Sequence, residues 1–328
     1  MAATFPVAAP FNTTPSYSGT FIPQLWSSKL NAKFYKATLF GEIANTNWEG
    51  EIKGMGDKIT INNIPDLTIN TYTAGTSLTY EAPTPNAITM NIDKGRYFAF
   101  QVNDVLAYQA QPKLMDTFTN DASMQMKIAI DSTVLYNTFT SAAAGNWGTT
   151  AGVSSTSYNL GTAAAPVALT SSNVLALLTA FSGIMDEQNI PETDRWVIID
   201  PATRQLLMQS NLAQAQFMGD DSSIVRNGRI GVIDRLTVYV SNNLPKAAAN
   251  GTVWVSGDGK ENGIAATTNA AKRRVLIAGH KSAISFASQM TKMETVRNPN
   301  DFGDFCRGLN VFGYTVTKPE GLSYAVVS

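Results

Sequence analysis

The sequence has very few of the residues from which catalytic and metal sites are built. Its 328 residues include one cysteine, Cys306, and one histidine, His280. One cysteine forms no intrachain disulfide, and one Cys with one His does not make a structural zinc site of the usual kind. A histidine-activated nucleophile would have to lie beside His280, and the chain has no G-x-S-x-G motif. We therefore expect no catalytic site, no metal and no cofactor, with His280 in a loop and Cys306 a small apolar residue.

Charged residues are scarce as well. They make up 15% of the chain, and the net charge at pH 7 is −1, whereas about 25% charged residues is usual in soluble domains. A dedicated nucleic-acid binder would carry a basic surplus to offset phosphates. A net charge near zero does not exclude a protein shell that encloses nucleic acid and contacts it only weakly. Low charge suits a protein whose faces are covered by neighbours, because burying unpaired charge is costly.

Long apolar runs are missing too. No stretch approaches the roughly 18 apolar residues of a membrane-spanning helix. The first residues, MAATFPVAAP, lack the basic region and the continuous apolar stretch of a secretory signal. We expect a protein that folds in a cytoplasm and contacts no membrane.

What the sequence does have is a series of segments with different periodicities. The first segment is rich in Pro, Thr and Ser, and we interpret it as an extended arm that docks through Phe11 and Tyr17. Apolar residues at helical spacing follow over 23–40, with Gly41 as the predicted stop. Residues 1–48 are thus predicted to be an N-terminal arm and a first helix.

Residues 49–102 alternate between apolar and polar side chains, which is typical of strands with one covered face. The alternation is present around 59–61, 88–92 and 98–102. Between the first two runs lies a segment with prolines and a glycine, so we predict an extended β-hairpin. An isolated two-stranded ribbon is unstable, and this one needs a partner surface, either within the chain or on a neighbour.

A long helix is predicted over about 113–140, where apolar residues recur three and four positions apart. At ~1.5 Å per residue it would extend roughly 40 Å and serve as a spine. Residues 103–170 then comprise this helix and the first part of a peripheral domain, with a loop rich in Ala, Gly, Ser and Thr at 141–170. The predicted buried stripe is Met115, Phe118, Ala122, Met126, Ala129, Thr133 and Tyr136.

Residues 171–290 alternate between helical and strand-like segments, which predicts a compact α/β lobe. A helix capped by Ser171 or Ser172 runs to about residue 188, and a second helix begins at Asp200-Pro201. Residues 291–328 return to strands. The predicted strands of the two segments are 196–199, 236–240, 275–278, 309–316 and 322–327.

The order of these parts resembles the major capsid proteins of tailed bacteriophages, whose fold is called the Hong Kong 97 type. Four local sequences support the resemblance. It implies an α+β fold with an N-terminal arm, an extended β-hairpin loop, a long spine helix, a peripheral domain and an axial α/β domain. The four sequences are GMGDKITI at 54–61, VLIAGHKSA at 275–283, GLNVFG at 308–313 and KPEGL at 318–322.

The resemblance implies a shell protein that assembles through hexamers and pentamers into an icosahedral capsid around double-stranded DNA, which it contacts non-specifically. Assembly would take place in the bacterial cytoplasm, and the mature location would be the virion. Only a short segment precedes the first predicted helix, so we expect a separate scaffolding protein, together with a portal and a cement protein. Family members with an isopeptide crosslink place a lysine on the loop. Lys53, Lys58 and Lys94 lie near its base, so we do not expect that crosslink.

The subunit interface is expected to involve eight apolar and aromatic residues of the arm and the hairpin. Two other functions remain open. An encapsulin nanocompartment has the same fold and would hold an enzyme cargo, and a secreted adhesive or polysaccharide-active β-rich protein would fit the Asn- and Thr-rich composition. The eight predicted interface residues are Phe11, Tyr17, Ile59, Ile61, Tyr72, Tyr80, Ile88 and Ile92.

Overall fold

The structure is a computed structural model. It describes residues 36, 38–48, 58–65, 67–78, 80–84, 86–104, 114–210, 231–247, 254–255, 273–299 and 301–328. The predicted arm contacts Phe11 and Tyr17, and most of the helix predicted over 23–40, lie outside the described residues.

The first described helix is α1, Phe40–Ile43. Gly41 lies inside it, so the prediction that Gly41 stops a helix is wrong. A helix begins here because the side chain of Asp131 accepts hydrogen bonds from the backbone N–H groups of Leu39 and Phe40, both at 2.8 Å. These donors have no acceptor within the helix, and the carboxylate satisfies them from another part of the chain.

The predicted hairpin is confirmed. Strand β1, Lys58–Asn63, pairs antiparallel with β2, Asn86–Asn91, in a register that sets Ile59 opposite Met90 and Ile61 opposite Ile88. The connecting residues 64–84, where described, form no helix or strand, and they turn at Gly75 with φ +89°. We call β1, β2 and this connection the ribbon, and residues 64–84 the ribbon tip.

A three-stranded antiparallel sheet lies beside the ribbon base. Its strands are β3, Lys94–Asn103, β10, Ile284–Arg297, and β11, Gly303–Val316, in the order β10-β11-β3. The alternating run at 98–102 was predicted as part of the hairpin segment, but β3 pairs with β11 instead. Alternation indicates that one face is covered and does not identify the pairing strand.

The predicted spine helix is α2, Leu114–Thr138, which packs on one face of the three-stranded sheet. The rings of Phe118 and Phe100 meet edge to face at 6.0 Å, and Thr119 Oγ1 lies 3.6 Å from Cys306 Sγ. The predicted stripe is only partly right, because Phe118 is 42% exposed. In the C-terminal half, residues 130–135 are all buried. Residues 130–135 lie between the sheet and the main core, so this turn of the helix is buried on all sides.

The lobe after α2 is built on a seven-stranded sheet with the order β5-β6-β4-β9-β7-β8, and β12 pairs with β9. Strand β4 is parallel to β6 and antiparallel to β9. All residues of β4 and of β12 are buried, as strands with both faces covered require. The strands are β4 Arg195–Ile199, β5 Val232–Ile233, β6 Leu236–Val240, β7 Lys246–Ala247, β8 Trp254–Val255, β9 Arg274–His280 and β12 Leu322–Val327.

The last strand, β12, belongs to a different sheet from the one expected. Residues 322–327 form a strand as predicted, but β12 pairs with β9 along its whole length, from Leu322 opposite Gly279 to Val327 opposite Arg274. It therefore belongs to the sheet of the lobe, whereas the sequence grouped it with the peripheral strands of 291–328. The other boundaries of the five predicted parts stay a prediction.

Two helices lie beside the seven-stranded sheet: α3, Val174–Glu187, and α4, Pro201–Met208. The predicted cap of α3 at Ser171 or Ser172 is wrong, because the N-cap is Asn173, whose Oδ1 accepts from Thr170 N at 2.8 Å. The prediction for α4 is confirmed. Asp200 is its N-cap and accepts hydrogen bonds from backbone N–H groups of the first turn, behind Pro201.

Candidate assembly surfaces

The base of the ribbon is fixed to its own chain. Met90 and Ile92 form a small buried cluster with Ala287 of β10, and Trp48, Ile59 and Val311 pack against it. A Cβ added at Gly313 of β11 would collide with the backbone oxygen of Asn91 and lie 3.0 Å from Ile92 Cα. Glycine at this position lets the end of β2 rest directly on β11.

The four predicted interface isoleucines therefore lie mostly against their own subunit. Ile61 and Ile92 are each only 7% exposed, and Ile59 and Ile88 are half-buried. The alternation in the sequence identified the covered face correctly but left open whether the cover came from this chain or from a neighbour. Their assignment to a subunit interface stays a prediction.

The ribbon tip is the opposite case. The predicted interface residues Tyr72 and Tyr80 are 73% and 90% exposed. Sequence reasoning missed four further apolar residues, because the segment was interpreted from its Pro and Gly content. Within the described part of the tip, a hydrogen bond from Thr68 N to Glu81 Oε2 of 3.0 Å joins its two sides. The four missed residues, all exposed, are Ile64, Leu67, Ile69 and Leu78.

The outer face of the three-stranded sheet is also open. On the face away from α2, the register sets Val296 opposite Phe305 at one end and Leu309 opposite Tyr97 at the other. All four are exposed. Between them Glu294 forms an ion pair with Arg307. The ion pair divides this face into two small apolar pairs, so it is a weaker candidate for an interaction surface than the tip.

A cleft of about 500 Å³ opens between the start of β3, the C-terminal half of α2 and the end of β11. Arg96 donates from Nη2 to Thr133 Oγ1 at 2.7 Å, and Lys94 Nζ lies 5.1 Å from the centre of the Tyr314 ring. Lys94 also pairs with Asp93 at 3.2 Å. We call this the β3–α2 cleft. Its described lining residues are Lys94, Gly95, Arg96, Thr133, Asn137, Phe312 and Tyr314.

Asp131 of α2 joins three parts of the chain. Besides capping α1, it accepts a hydrogen bond from Asn243 Nδ2 at 2.7 Å, in the loop after β6. Burial raises the pKa of Asp131 above its ordinary value, and the hydrogen bonds from Asn243, Leu39 and Phe40 oppose that rise. The side chain fixes the base of the N-terminal segment and the lobe to the same turn of the spine helix.

His280 is the last residue of β9, so the expectation that it lies in a loop is wrong. His280 Nδ1 accepts from Ser282 N at 3.1 Å in the turn after β9, and burial is the main cause that lowers the pKa of His280. Cys306 is buried in the three-stranded sheet. In the described ranges no three or more His, Cys, Asp or Glu side chains are grouped so that they could hold a metal ion.

None of the helices in the described part of the chain is both long and apolar enough to cross a membrane. The folded body carries a ribbon whose tip is apolar and uncovered, and exposed apolar patches of this kind are a mark of interaction surfaces. Comparison with known proteins identifies the family. The phage capsid protein family model matches residues 87–325, and the chain belongs to this family.

Solved capsid structures have the same fold. The chain is similar to that of Mycobacterium phage Che8, with 22% identity and a TM-score of 0.71 over 93% of this chain and 96% of that one. The capsid structure of cyanophage P-SCSP1u has 19% sequence identity and a TM-score of 0.70, over 97% of this chain and 99% of that one. The mature capsid of bacteriophage PhiM1 has 12% sequence identity and a TM-score of 0.66, over 93% of this chain and 92% of that one. No curated protein sequence matches the chain.

The fold is therefore the α+β Hong Kong 97-type capsid fold, as the resemblance implied. The chain is a phage major capsid protein: a structural protein that forms a homo-oligomeric shell, the capsid of the virion. Neither the encapsulin alternative nor the secreted adhesive alternative is favoured by these matches.

Proposed function

We propose that the chain assembles through hexamers and pentamers into an icosahedral shell that encloses double-stranded phage DNA, and that it does so without catalytic activity. The observation that carries the proposal is the ribbon, which is anchored at its base and has an exposed apolar tip. Head-to-tail contacts between copies close into rings when the rotation between neighbours allows it. A ribbon whose base is fixed in direction supports such a repeated contact.

The wall would contact DNA non-specifically. The net charge of −1 supports this, because a protein built to grip phosphates would carry many more cations. Low charge also keeps small the cost of removing water from the contacts between subunits.

We further propose that assembly occurs in the bacterial cytoplasm with a separate scaffolding protein, and that a portal and a cement protein complete the particle. The arm residues Phe11 and Tyr17 would latch a neighbouring subunit. If the purified coat protein alone closed into shells of one native size, the separate scaffold would be contradicted.

The experiment is expression of the protein with and without the products of its neighbouring genes, followed by negative-stain microscopy. Wild type should form closed shells in the presence of its partners. A deletion of residues 68–84 should give a soluble subunit that forms none, because it removes the exposed tip and spares the buried base. Thermal denaturation of both proteins is the control for folding, and normal particles from the deletion would contradict the role of the ribbon.

A further inference from the structure

We propose that a cleft in the α/β lobe binds a small oxyanion of the phosphate class, held between Lys246 and Arg274. The cleft has a volume of about 270 Å³ and opens where β4 and β6 end and where β7 and β9 begin. We call it the lobe cleft. The inference goes beyond the proposed function, because shell assembly assigns no ligand to the lobe.

The first argument is the position of the two cations. Lys246 of β7 lies directly opposite Arg274 of β9 in an antiparallel pair. Residues opposite each other in such a pair carry their side chains on the same face, roughly 4.5–5.5 Å apart at Cβ, and like charges there repel. The next strands add no acid to this row, because Val255 of β8 and Val327 of β12 occupy it. An anion between the two cations would remove the repulsion.

The second argument is that the acid in the cleft is already engaged. One oxygen of Asp200 accepts from Thr203 N at 3.3 Å and from the Thr203 hydroxyl. The other accepts from Ala202 N at 3.1 Å and pairs with Arg274. Lys246 is exposed and forms no ion pair with the residues that the structure describes. The described lining therefore has two cations and one acid, and a positive charge remains.

The third argument is the hydrogen-bonding capacity that Arg274 has left. It donates to Asp200 from Nη1, and its Nε is buried without a hydrogen-bond partner among the described residues. A guanidinium has five N–H donors, so the bond to Asp200 leaves others for a second acceptor. The Arg274 side chain is 22% exposed, which lets an anion from solvent reach it. Arginine binds phosphate through a planar fork of donors and lysine binds it as a point charge, and the lobe cleft offers one of each.

Packaged DNA could supply the same phosphate chemistry, but the size and charge of the lobe cleft favour a free oxyanion. Non-specific DNA binding is spread over many phosphate contacts on an open basic surface. The lobe cleft offers two cations in a recess, and one of them is already paired with Asp200.

The test compares thermal denaturation of the subunit in chloride and in inorganic phosphate at the same pH and ionic strength. Phosphate at ten times its dissociation constant should raise the wild-type Tm by roughly 2 °C. Lys246→Gln should weaken phosphate binding by about tenfold in a calorimetric titration, because it removes a charged donor. Lys281→Gln is the matched control and should bind as wild type does, since Lys281 is exposed in the turn at the other end of β9.

A charge reversal at the same position distinguishes a binding site from a general effect of salt. Lys246→Glu places a carboxylate opposite Arg274, so repulsion is replaced by attraction. Its Tm in chloride should rise by roughly 1–3 °C, and phosphate should add nothing further. Lys281→Glu changes the net charge equally and should leave the Tm and the response to phosphate at their wild-type values.

Four results would overturn the inference. They are a wild-type Tm that does not respond to phosphate, an undiminished affinity in Lys246→Gln, a lower Tm of Lys246→Glu in chloride, and a response to a short DNA duplex with none to inorganic phosphate. The last result would assign the two cations to packaged DNA. The proposed function fails separately, if the wild-type protein forms no shells with its partners, whatever the response to phosphate.

Discussion

Replacing Gly313 with alanine should loosen the ribbon from the body of the subunit. The new Cβ would overlap the backbone oxygen of Asn91 and lie 3.0 Å from both Asn91 C and Ile92 Cα. All three atoms belong to the backbone, so no side-chain rotation relieves the overlap. Either β11 or the end of β2 must move.

The size of the effect can be bounded. Overpacking a well-packed site costs roughly 1–3 kcal/mol of unfolding free energy. If the end of β2 moved away completely, the subunit would lose the burial of Met90 and Ile92, each about 1.5–3 kcal/mol. That loss exceeds the strain, so we expect β2 to shift slightly and stay in place. At an unfolding entropy of about 2.1 cal/mol/K per residue, the strain should lower Tm by roughly 1.5–4.5 °C.

The assay is calorimetry of the free subunit, combined with limited proteolysis of the ribbon, which should be cleaved faster when its base is strained. Gly41→Ala is the matched control, because a Cβ there meets nothing within 4 Å. Its Tm should stay equal or rise slightly, since alanine favours a helix. A Gly313→Ala subunit with wild-type Tm and wild-type proteolysis would show that β2 does not rest on this glycine.

Two further predictions concern ionisable groups. Asp131→Ala should lower the unfolding free energy by about 3 kcal/mol or more, measured by denaturant titration, because the buried donors of Leu39 and Asn243 and the part-buried N–H of Phe40 lose their acceptor. Burial raises the pKa of Asp131, so the folded chain binds the carboxyl proton more tightly than the unfolded chain does. Relative to Asp131→Asn, the wild-type protein should therefore be stabilised at acid pH. That added stability should be lost as the pH rises through the folded-state pKa of Asp131. Burial lowers the pKa of His280, so its NMR titration should have a midpoint below 6.5, and a midpoint above that value would contradict the burial.

The sequence predicted elements well where the local pattern is strong. The hairpin follows from alternation, and β4 and β12 from short apolar runs whose residues are all buried. Helix α2 follows from a long run of apolar residues three and four positions apart, and the predicted bounds are close to the observed Leu114–Thr138. These signals are local, because the period of side-chain direction is set by the backbone of each element.

Pairing partners were predicted less well, because they depend on residues far apart in sequence. Strand β3 lies opposite residues 303–312, and no local feature of the run at 98–102 selects them. The same holds for Asp131, one of three aspartates in α2, whose acceptor role depends on Leu39 and Asn243. A charged residue in a helix is usually solvated, so the pattern gave no reason to bury it.

The contrast between the two ends of the ribbon has a consequence for assembly. The base is held by Met90, Ile92 and Ala287 and by the close approach at Gly313, so it fixes where the ribbon points. On the proposed function, the described residues of the tip, which form no helix or strand, would become ordered on contact with another copy, at a cost of about 1–2 kcal/mol per residue that becomes fixed. Each such contact would then be weak for its area, and a wrongly placed subunit could leave. A closed shell gains its strength because every subunit is held by several such contacts at once.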